Sequence, residues 1–142
     1  MNIAMLLNPK CDIKYLINDD SVRQGFETFR VHGYSSVPVL NCDGTYYGIV
    51  SDKDFLSYII ENNIYSIKDL EDISINKIIK KGLNPPVNIN ASLDELIKRI
   101  TDWNFVPIVD CRNTFVGIIT RKTVINYLSN IIKNESKVEL YE

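Results

Sequence analysis

Residues 36–54 read SVPVLNCDGTYYGIVSDKD, and residues 105–123 read FVPIVDCRNTFVGIITRKT. The two stretches align without gaps, and seven of their nineteen positions are identical. They stand 69 positions apart, so the chain contains the same motif twice. Their ends differ, because SDKD in the first copy becomes TRKT in the second. The duplication decides the fold, and the changed ends predict two chemically different sites.

The same pattern of elements surrounds both copies of the motif. Apolar residues at helical spacing predict helices before and after each motif, at 21–33, 52–62, 92–103 and 121–133. Residues suited to N-cap positions precede these helices: Ser21, Ser51, Ser92 and Thr120. Ser92 and Glu95 form the pattern of a capping box. Strands are predicted at 35–40, 45–50, 104–109 and 114–119, after extended segments at 12–18 and 85–90.

This order predicts an α/β (α+β) fold made of two β-α-β-β-α repeats related by a pseudo-two-fold axis. A repeat of about sixty residues is too small to bury a good core alone, so we expect the copies to pack on each other. Residues 1–68 are assigned to repeat one, with a short N-terminal helix. Residues 69–142 are assigned to repeat two, with a preceding linker helix near 74–80.

Bulk composition excludes several classes of protein. A net charge of −2 argues against nucleic-acid binding by bulk electrostatics. The chain starts without a basic leader and contains no apolar run near the roughly 20 residues that span a bilayer. We therefore expect a cytoplasmic protein that binds neither membrane nor nucleic acid.

The cysteines and the histidine do not form a recognisable reactive site. Cys11, Cys42 and Cys111 include no CxxC pair, so we expect free thiols, with the last two semi-buried at equivalent turns. The single histidine, His32, gives too few ligands for a zinc site and has no nucleophile pattern near it. No metal cluster, paired catalytic carboxylates or Gly-rich phosphate loop is present in the sequence, which indicates a protein that is not an enzyme.

The repeated unit, with VPVL…GIVSDKD and VPIVD…GIITRKT, resembles the CBS domain, and the two copies are similar to a tandem CBS pair, or Bateman module. GYSSVPVL at 33–40, followed by NFVPIVD and GIITRK, is similar to the stand-alone CBS proteins of Gram-positive bacteria that bind cyclic di-AMP. The resemblance implies a non-catalytic regulatory module without a cofactor. Its implied ligand is an adenine nucleotide: cyclic di-AMP, or else AMP, ADP or ATP.

The resemblance also implies two ligand clefts between the repeats. Each takes adenine from one repeat, and ribose and phosphate contacts from the Ser/Thr-x-x-Asp position of the other. Carried over residue by residue, the first cleft contains Ile13, Lys14, Leu16, Tyr34, Ser35, Ser36, Pro38, Thr120, Arg121 and Lys122. The second cleft contains Val87, Asn104, Phe105, Pro107, Ser51, Asp52 and Asp54.

The charges at the two helix starts lead to different expectations. A helix N-terminus is electropositive, so Asp52 and Asp54 suit it, whether as a plain cap or as ribose ligands. Arg121 and Lys122 oppose the helix dipole, and a bound phosphate would remove that conflict; the alternative is a solvent-exposed pair. Tyr34 offers a flat surface for a purine, or it is a half-buried strand residue.

Two functions remain open at this point. The first is a nucleotide sensor that signals to a separate effector protein. The second is an interaction module with degenerate sites, which forms a homodimer through apolar helix faces. The residues of these faces are Phe55, Tyr58, Ile59, Val124, Tyr127, Leu128 and Ile131.

Overall fold

A computed structural model describes residues 1–33, 35–79 and 83–141, with side chains as far as residue 137. In these residues the chain forms two mixed sheets and four α-helices, which confirms the predicted fold class. The first repeat contains β2 Leu16–Ile17, α1 Val22–His32, β3 Ser36–Leu40, β4 Tyr46–Ser51 and α2 Asp52–Glu61. The second contains β5 Val87–Asn88, α3 Leu93–Ile100, β6 Phe105–Val109, β7 Phe115–Thr120 and α4 Arg121–Tyr141. An additional strand, β1 Asn8–Pro9, precedes both.

The two sheets are built alike. In each, a short strand pairs parallel to the Pro-containing strand, which pairs antiparallel to the Gly-containing strand. The turn between the antiparallel strands takes a left-handed backbone at Gly44 (φ 89°) and at Asn113 (φ 63°). Glycine and asparagine tolerate this conformation better than other residues do, so the sequence suits both turns.

The helices begin where the predicted caps place them. Ser21 forms a capping box with Gln24, and Ser51 forms one with Asp54. At Ser92, the structure shows the first bond of the predicted box, from the Glu95 N–H to the serine hydroxyl.

Several element lengths differ from the sequence-based prediction. Helix α3 ends at Ile100 rather than 103, and α4 continues to Tyr141 rather than ending at 133. The predicted linker helix is a 3-10 turn at Ile75–Lys77, and the predicted N-terminal helix is a 3-10 turn at Ile3–Leu6. The bounds of an element are less well specified by its sequence pattern than its presence is.

Each repeat was assigned one continuous range, 1–68 or 69–142. The core of each repeat nevertheless includes a segment from the other range. Ile3 and Leu6 are buried in the core of the second repeat, where β1 also pairs antiparallel with β7. Residues of the linker are buried in the core of the first repeat: Leu70, Ile75, Ile78 and Ile79. The two repeats therefore exchange packing segments as well as facing each other.

The repeats meet at their hairpin turns. The Phe115 N–H donates to the Gly44 carbonyl at 3.0 Å, and the Tyr46 N–H donates to the Asn113 carbonyl at 3.3 Å. The rings of Tyr46 and Phe115 stack there, with centroids 6.4 Å apart. This pairing relates equivalent positions of the two copies and forms the predicted pseudo-two-fold junction.

The expectation that two cysteines are semi-buried is wrong. All three are exposed free thiols. Across the described part of the chain, every helix is too short or too polar to span a membrane.

Candidate functional site

A cavity of about 420 Å³ lies between the repeats, where the start of α2 meets the residues that precede β3 and β6. Its lining comes from three parts of the chain. The first repeat contributes Ser35, Ser36, Ile49, Ser51, Asp52, Lys53 and Asp54; the linker contributes Leu83 and Asn84; the second repeat contributes Asp102, Trp103, Asn104 and Phe105. We call this space the junction cavity.

The junction cavity brings together five residues predicted for the second cleft: Ser51, Asp52, Asp54, Asn104 and Phe105. It also includes Ser35 and Ser36, which were predicted for the first cleft. The backbone explains this arrangement, because the Asp52 N–H donates to the Ser35 carbonyl at 2.9 Å. That bond holds the start of α2 beside the residues that precede β3.

The start of α2 is a complete helix cap that faces the cavity. The Asp54 carboxylate accepts the Ser51 N–H at 2.9 Å, and the Ser51 hydroxyl accepts the Asp54 N–H at 3.3 Å. Capping therefore explains both residues without a ligand. A carboxylate oxygen can accept more than one hydrogen bond, so half-buried Asp54 also remains able to accept from a ribose hydroxyl.

Trp103 was missed as a site residue. It is the only tryptophan in the chain, it is half-buried, and it lines the junction cavity. Its counterpart in the first repeat, 69 positions earlier, is Tyr34, the predicted purine platform, which lies outside the described residues. Aligning the repeats would have found Trp103. An indole ring can stack on a base and contribute about 1–3 kcal/mol.

Asn84 was also missed, and no local sequence signal marks it. It is buried, with 1% of its surface exposed, and lines the junction cavity. Its side-chain amide donates to the Phe105 carbonyl at 2.9 Å, and its backbone carbonyl accepts the Tyr46 hydroxyl at 2.9 Å. Burial raises the pKa of Tyr46, so this hydroxyl keeps its proton and remains a donor.

A second cavity, of about 410 Å³, lies at the start of α4. It is lined by Asn104, Thr120, Arg121, Lys122, Ile125 and Asn126. Asn104 lines both cavities, so the second one adjoins the junction cavity. The two differ in charge, because three carboxylates and one lysine line the junction cavity whereas two cations line its neighbour.

The start of α4 has the predicted cap, and its arginine is paired within the protein. The Thr120 hydroxyl accepts the Thr123 N–H at 3.2 Å, so α4 has a side-chain cap. The Arg121 guanidinium donates to the carbonyls of Ile100 and Thr101 at the end of α3, at 3.0 and 3.3 Å. The electronegative end of α3 thus offsets the conflict with the dipole of α4. Lys122 is exposed.

The other predicted site residues lie away from both cavities. Lys14 is exposed, and Ile13 packs in the apolar junction between the repeats. The remaining apolar residues are buried within the repeats: Leu16, Pro38, Val87 and Pro107. Leu83 and Asn84 occupy the place on the junction cavity that was predicted for Val87. The strands that carry Pro38 and Pro107 are buried along nearly their whole length, so a carried-over motif does not bring these residues to the cavity wall.

Two like repeats that exchange packing segments, with a cavity at their junction, define a paired-repeat α/β fold. The family model of the CBS domain matches residues 9–61 and 71–130, and the chain therefore belongs to the CBS-domain family. The predicted family is confirmed. The sequence matches none of the curated proteins.

Solved structures share the fold over nearly the whole chain. One is CbpB in complex with c-di-AMP, with 22% identity, a TM-score of 0.87, and coverage of 96% of this chain and 90% of that one. Another is CbpB of Listeria monocytogenes in complex with c-di-AMP, at 21% identity, TM-score 0.81, covering 92% and 97%. CBSX2 in complex with AMP has 20% identity and a TM-score of 0.74, covering 92% and 97%.

Proposed function

We propose that this chain is a non-catalytic regulatory module that binds an adenine nucleotide between its two repeats, with cyclic di-AMP as the favoured ligand. One observation carries the proposal: the junction cavity, with Trp103 and the cap of α2, adjoins a second cavity with two cations. The first suits a base and a ribose, and the second suits a phosphate. The similar folds of proteins solved with c-di-AMP and with AMP support the adenine class of ligand.

Signalling follows from the position of the site. A ligand that contacts both repeats stabilises the arrangement of the repeats to which it binds more tightly. The output is then read by a separate effector protein.

Titration calorimetry and thermal shift with cyclic di-AMP, AMP, ADP and ATP test the proposal. A ligand at 100 times its dissociation constant is expected to stabilise the protein by about 2.7 kcal/mol. Trp103 fluorescence should change on binding, because this single indole lines the junction cavity. If none of the four nucleotides binds, the proposal is wrong.

We predict that the two cations of α4 behave differently when they are replaced. Lys122→Ala should weaken nucleotide binding and reduce the dependence of binding on salt concentration. It should not lower the free energy of unfolding, because the side chain is exposed. Arg121→Ala should weaken binding and also destabilise the fold, because it removes the bonds to the end of α3. Calorimetry and urea unfolding measure the two effects. Lys133→Ala, exposed on the same helix, is the matched control.

The interaction function is favoured by a different surface. A groove of about 380 Å³ lies between α1 and α2 and is lined mostly by apolar residues, including Phe26, Phe29 and Leu56. Phe55 and Val124, predicted for the dimer face, are 3% and 1% exposed and belong to the cores. The other predicted residues of the face are half-buried: Tyr58, Ile59, Tyr127, Leu128 and Ile131. The exposed, outward apolar residues beside them on α2 and α4 are Leu56, Ile60, Ile125 and Ile132.

The homodimer is therefore proposed through these outward residues. Sedimentation of the wild type and of Leu56→Lys with Ile60→Glu tests it. A wild-type dimer that dissociates in the double variant supports the proposal, and a wild-type monomer contradicts it.

A further inference from the structure

Asn84 occupies a position from which it contacts both repeats. Its backbone carbonyl accepts the hydroxyl of Tyr46, which lies on β4 of the first repeat. Its side chain donates to the carbonyl of Phe105 on β6, and accepts from Arg99 on α3 at 3.2 Å. The residue has a left-handed backbone, with φ of 50°. A single buried linker residue thus joins one repeat to two elements of the other.

We propose that Asn84 is the positioning residue of the junction cavity: it holds the wall formed by Trp103, Asn104 and Phe105 in the arrangement that receives the ligand. This inference rests on the proposed function for the identity of the ligand. The wall is tied to Asn84 at the Phe105 carbonyl, and Asn84 is tied to the first repeat at Tyr46. A ligand that displaces the wall therefore acts on the contact between the repeats.

The hydrogen bond between the Tyr46 hydroxyl and the Asn84 carbonyl has no equivalent on the other side of the pseudo-two-fold axis. The counterpart of Tyr46 is Phe115. The strand pairings place Leu16 and Val87 at equivalent positions, so the counterpart of Asn84 is Ile13. Phenylalanine has no hydroxyl, so the equivalent bond cannot form at the other side. The junction cavity is thereby fixed before a ligand binds, which lowers the cost of ordering it. The two copies of the sequence have therefore diverged so that this hydrogen bond fixes one of the two equivalent junctions.

The backbone geometry of Asn84 offers a clean substitution. Asn84→Gly deletes the side chain and retains a residue that tolerates the left-handed backbone. Asn63→Gly is the matched control, because Asn63 has φ of 52° and is exposed at the end of α2, away from the cavity. Any effect of glycine on the unfolded chain is then common to both variants.

Two measurements test the inference. Calorimetry gives the affinity for cyclic di-AMP, and acrylamide quenching of fluorescence gives the solvent accessibility of Trp103 in the ligand-free proteins. Asn84→Gly is expected to weaken binding about ten-fold, which corresponds to a loss of about 1.4 kcal/mol. It should also increase the quenching of Trp103, whereas Asn63→Gly should change neither quantity. Tyr46→Phe, which removes only the hydroxyl on the other side of Asn84, should change both in the same direction.

The outcomes separate this inference from the proposed function. If the wild type binds cyclic di-AMP and Asn84→Gly binds it equally well, Asn84 does not position the site and the function stands. If neither the wild type nor any variant binds the nucleotide, cyclic di-AMP is not the ligand. The quenching of Trp103 then tests by itself whether Asn84 positions the cavity wall. Greater quenching in Asn84→Gly than in Asn63→Gly supports it, and equal quenching overturns it. Should Asn84→Gly fail to fold, Tyr46→Phe and the same two measurements decide the matter.

Discussion

Tyr46 and Phe115 occupy equivalent positions of the two repeats and differ only by the tyrosine hydroxyl. Both are buried, at 9% and 1% exposure, and their rings stack across the junction of the repeats. The Tyr46 hydroxyl adds a hydrogen bond to the Asn84 carbonyl. Its burial disfavours the phenolate, which raises the pKa of the Tyr46 hydroxyl above its ordinary value.

We predict that Tyr46→Phe destabilises the fold by about 1–3 kcal/mol at neutral pH, because the Asn84 carbonyl loses its buried donor. The substitution should also flatten the dependence of stability on pH in alkaline solution. A pKa raised in the folded state gives stability that is complete below the unfolded pKa, about 10, and declines as pH rises above it. Urea unfolding of both proteins between pH 8 and pH 11 measures the difference.

Tyr65→Phe is the control for this experiment, because the Tyr65 side chain is 91% exposed. Its unfolding free energy should follow that of the wild type across the whole range. Parallel pH curves for the wild type and Tyr46→Phe would show that Tyr46 is not buried as a neutral donor.

At the residue scale, the sequence predicts contacts between neighbours in the chain better than contacts between distant residues. The caps at Ser21, Ser51 and Ser92 involve residues within three positions of each other, so the local sequence specifies them. The partner of Arg121 lies 20 positions away, at the end of α3, and spacing alone does not reveal it. The charge of Arg121 is therefore compensated by carbonyl groups of the protein itself, without an anion.

At the scale of elements, the short strand β1 depends on a glycine of β7. Gly117 pairs with Pro9, and a Cβ atom at Gly117 would clash with the Asn8 carbonyl oxygen. A Cβ atom at the equivalent Gly48 would lie 3.0 Å from the Cγ2 methyl group of Ile79. A side chain can rotate away, whereas a paired backbone strand cannot without separating.

We predict that Gly117→Ala destabilises the fold by about 1–3 kcal/mol, because its Cβ overpacks against β1 and because alanine rarely adopts the φ of 154° found at Gly117. Gly48→Ala is the matched control and should cost less, because Ile79 can adjust. Urea unfolding gives both values, and hydrogen exchange should show loss of protection in β7 of the Gly117 variant. An equal cost for the two alanines would contradict the pairing of β1 with β7.

The sequence predicts the long elements and the extended segments that contain β2 and β5, but it misses β1. The hairpins and the four helices follow from apolar spacing, caps and turn residues. The two residues of β1 carry no periodic pattern, so only their partner strand makes them a strand. The 3-10 turn at Ile75–Lys77 takes its place from the burial of Ile75 in the first repeat.

At the scale of the whole molecule, the exchanged segments connect the two cores. Ile3, at the start of the chain, is fully buried in the second repeat. Ile75, in the linker, is fully buried in the first. Since each core depends on a segment from outside its own motif, we expect the repeats to unfold together.

We predict that Ile3→Ala and Ile75→Ala each destabilise the protein by about 2–5 kcal/mol, the cost of a large-to-small change in a core. Both should shift one common transition, seen at the same urea concentration by Trp103 fluorescence and by far-ultraviolet circular dichroism. Ile125→Ala, at a side chain 56% exposed, should change stability by less than about 0.5 kcal/mol. Separate transitions for the two probes would show that the repeats unfold independently.

The sequence by itself determines the duplication, the order of elements, the caps and the family, because these depend on local periodicity and on a motif that occurs twice. Only the tertiary structure decides which residues share a cavity. It places Ser35 and Ser36 beside Asp54, turns Arg121 towards the end of α3, and buries Asn84 between the repeats. These contacts join residues far apart in the chain, and their geometry is set by how the two sheets and their exchanged segments pack.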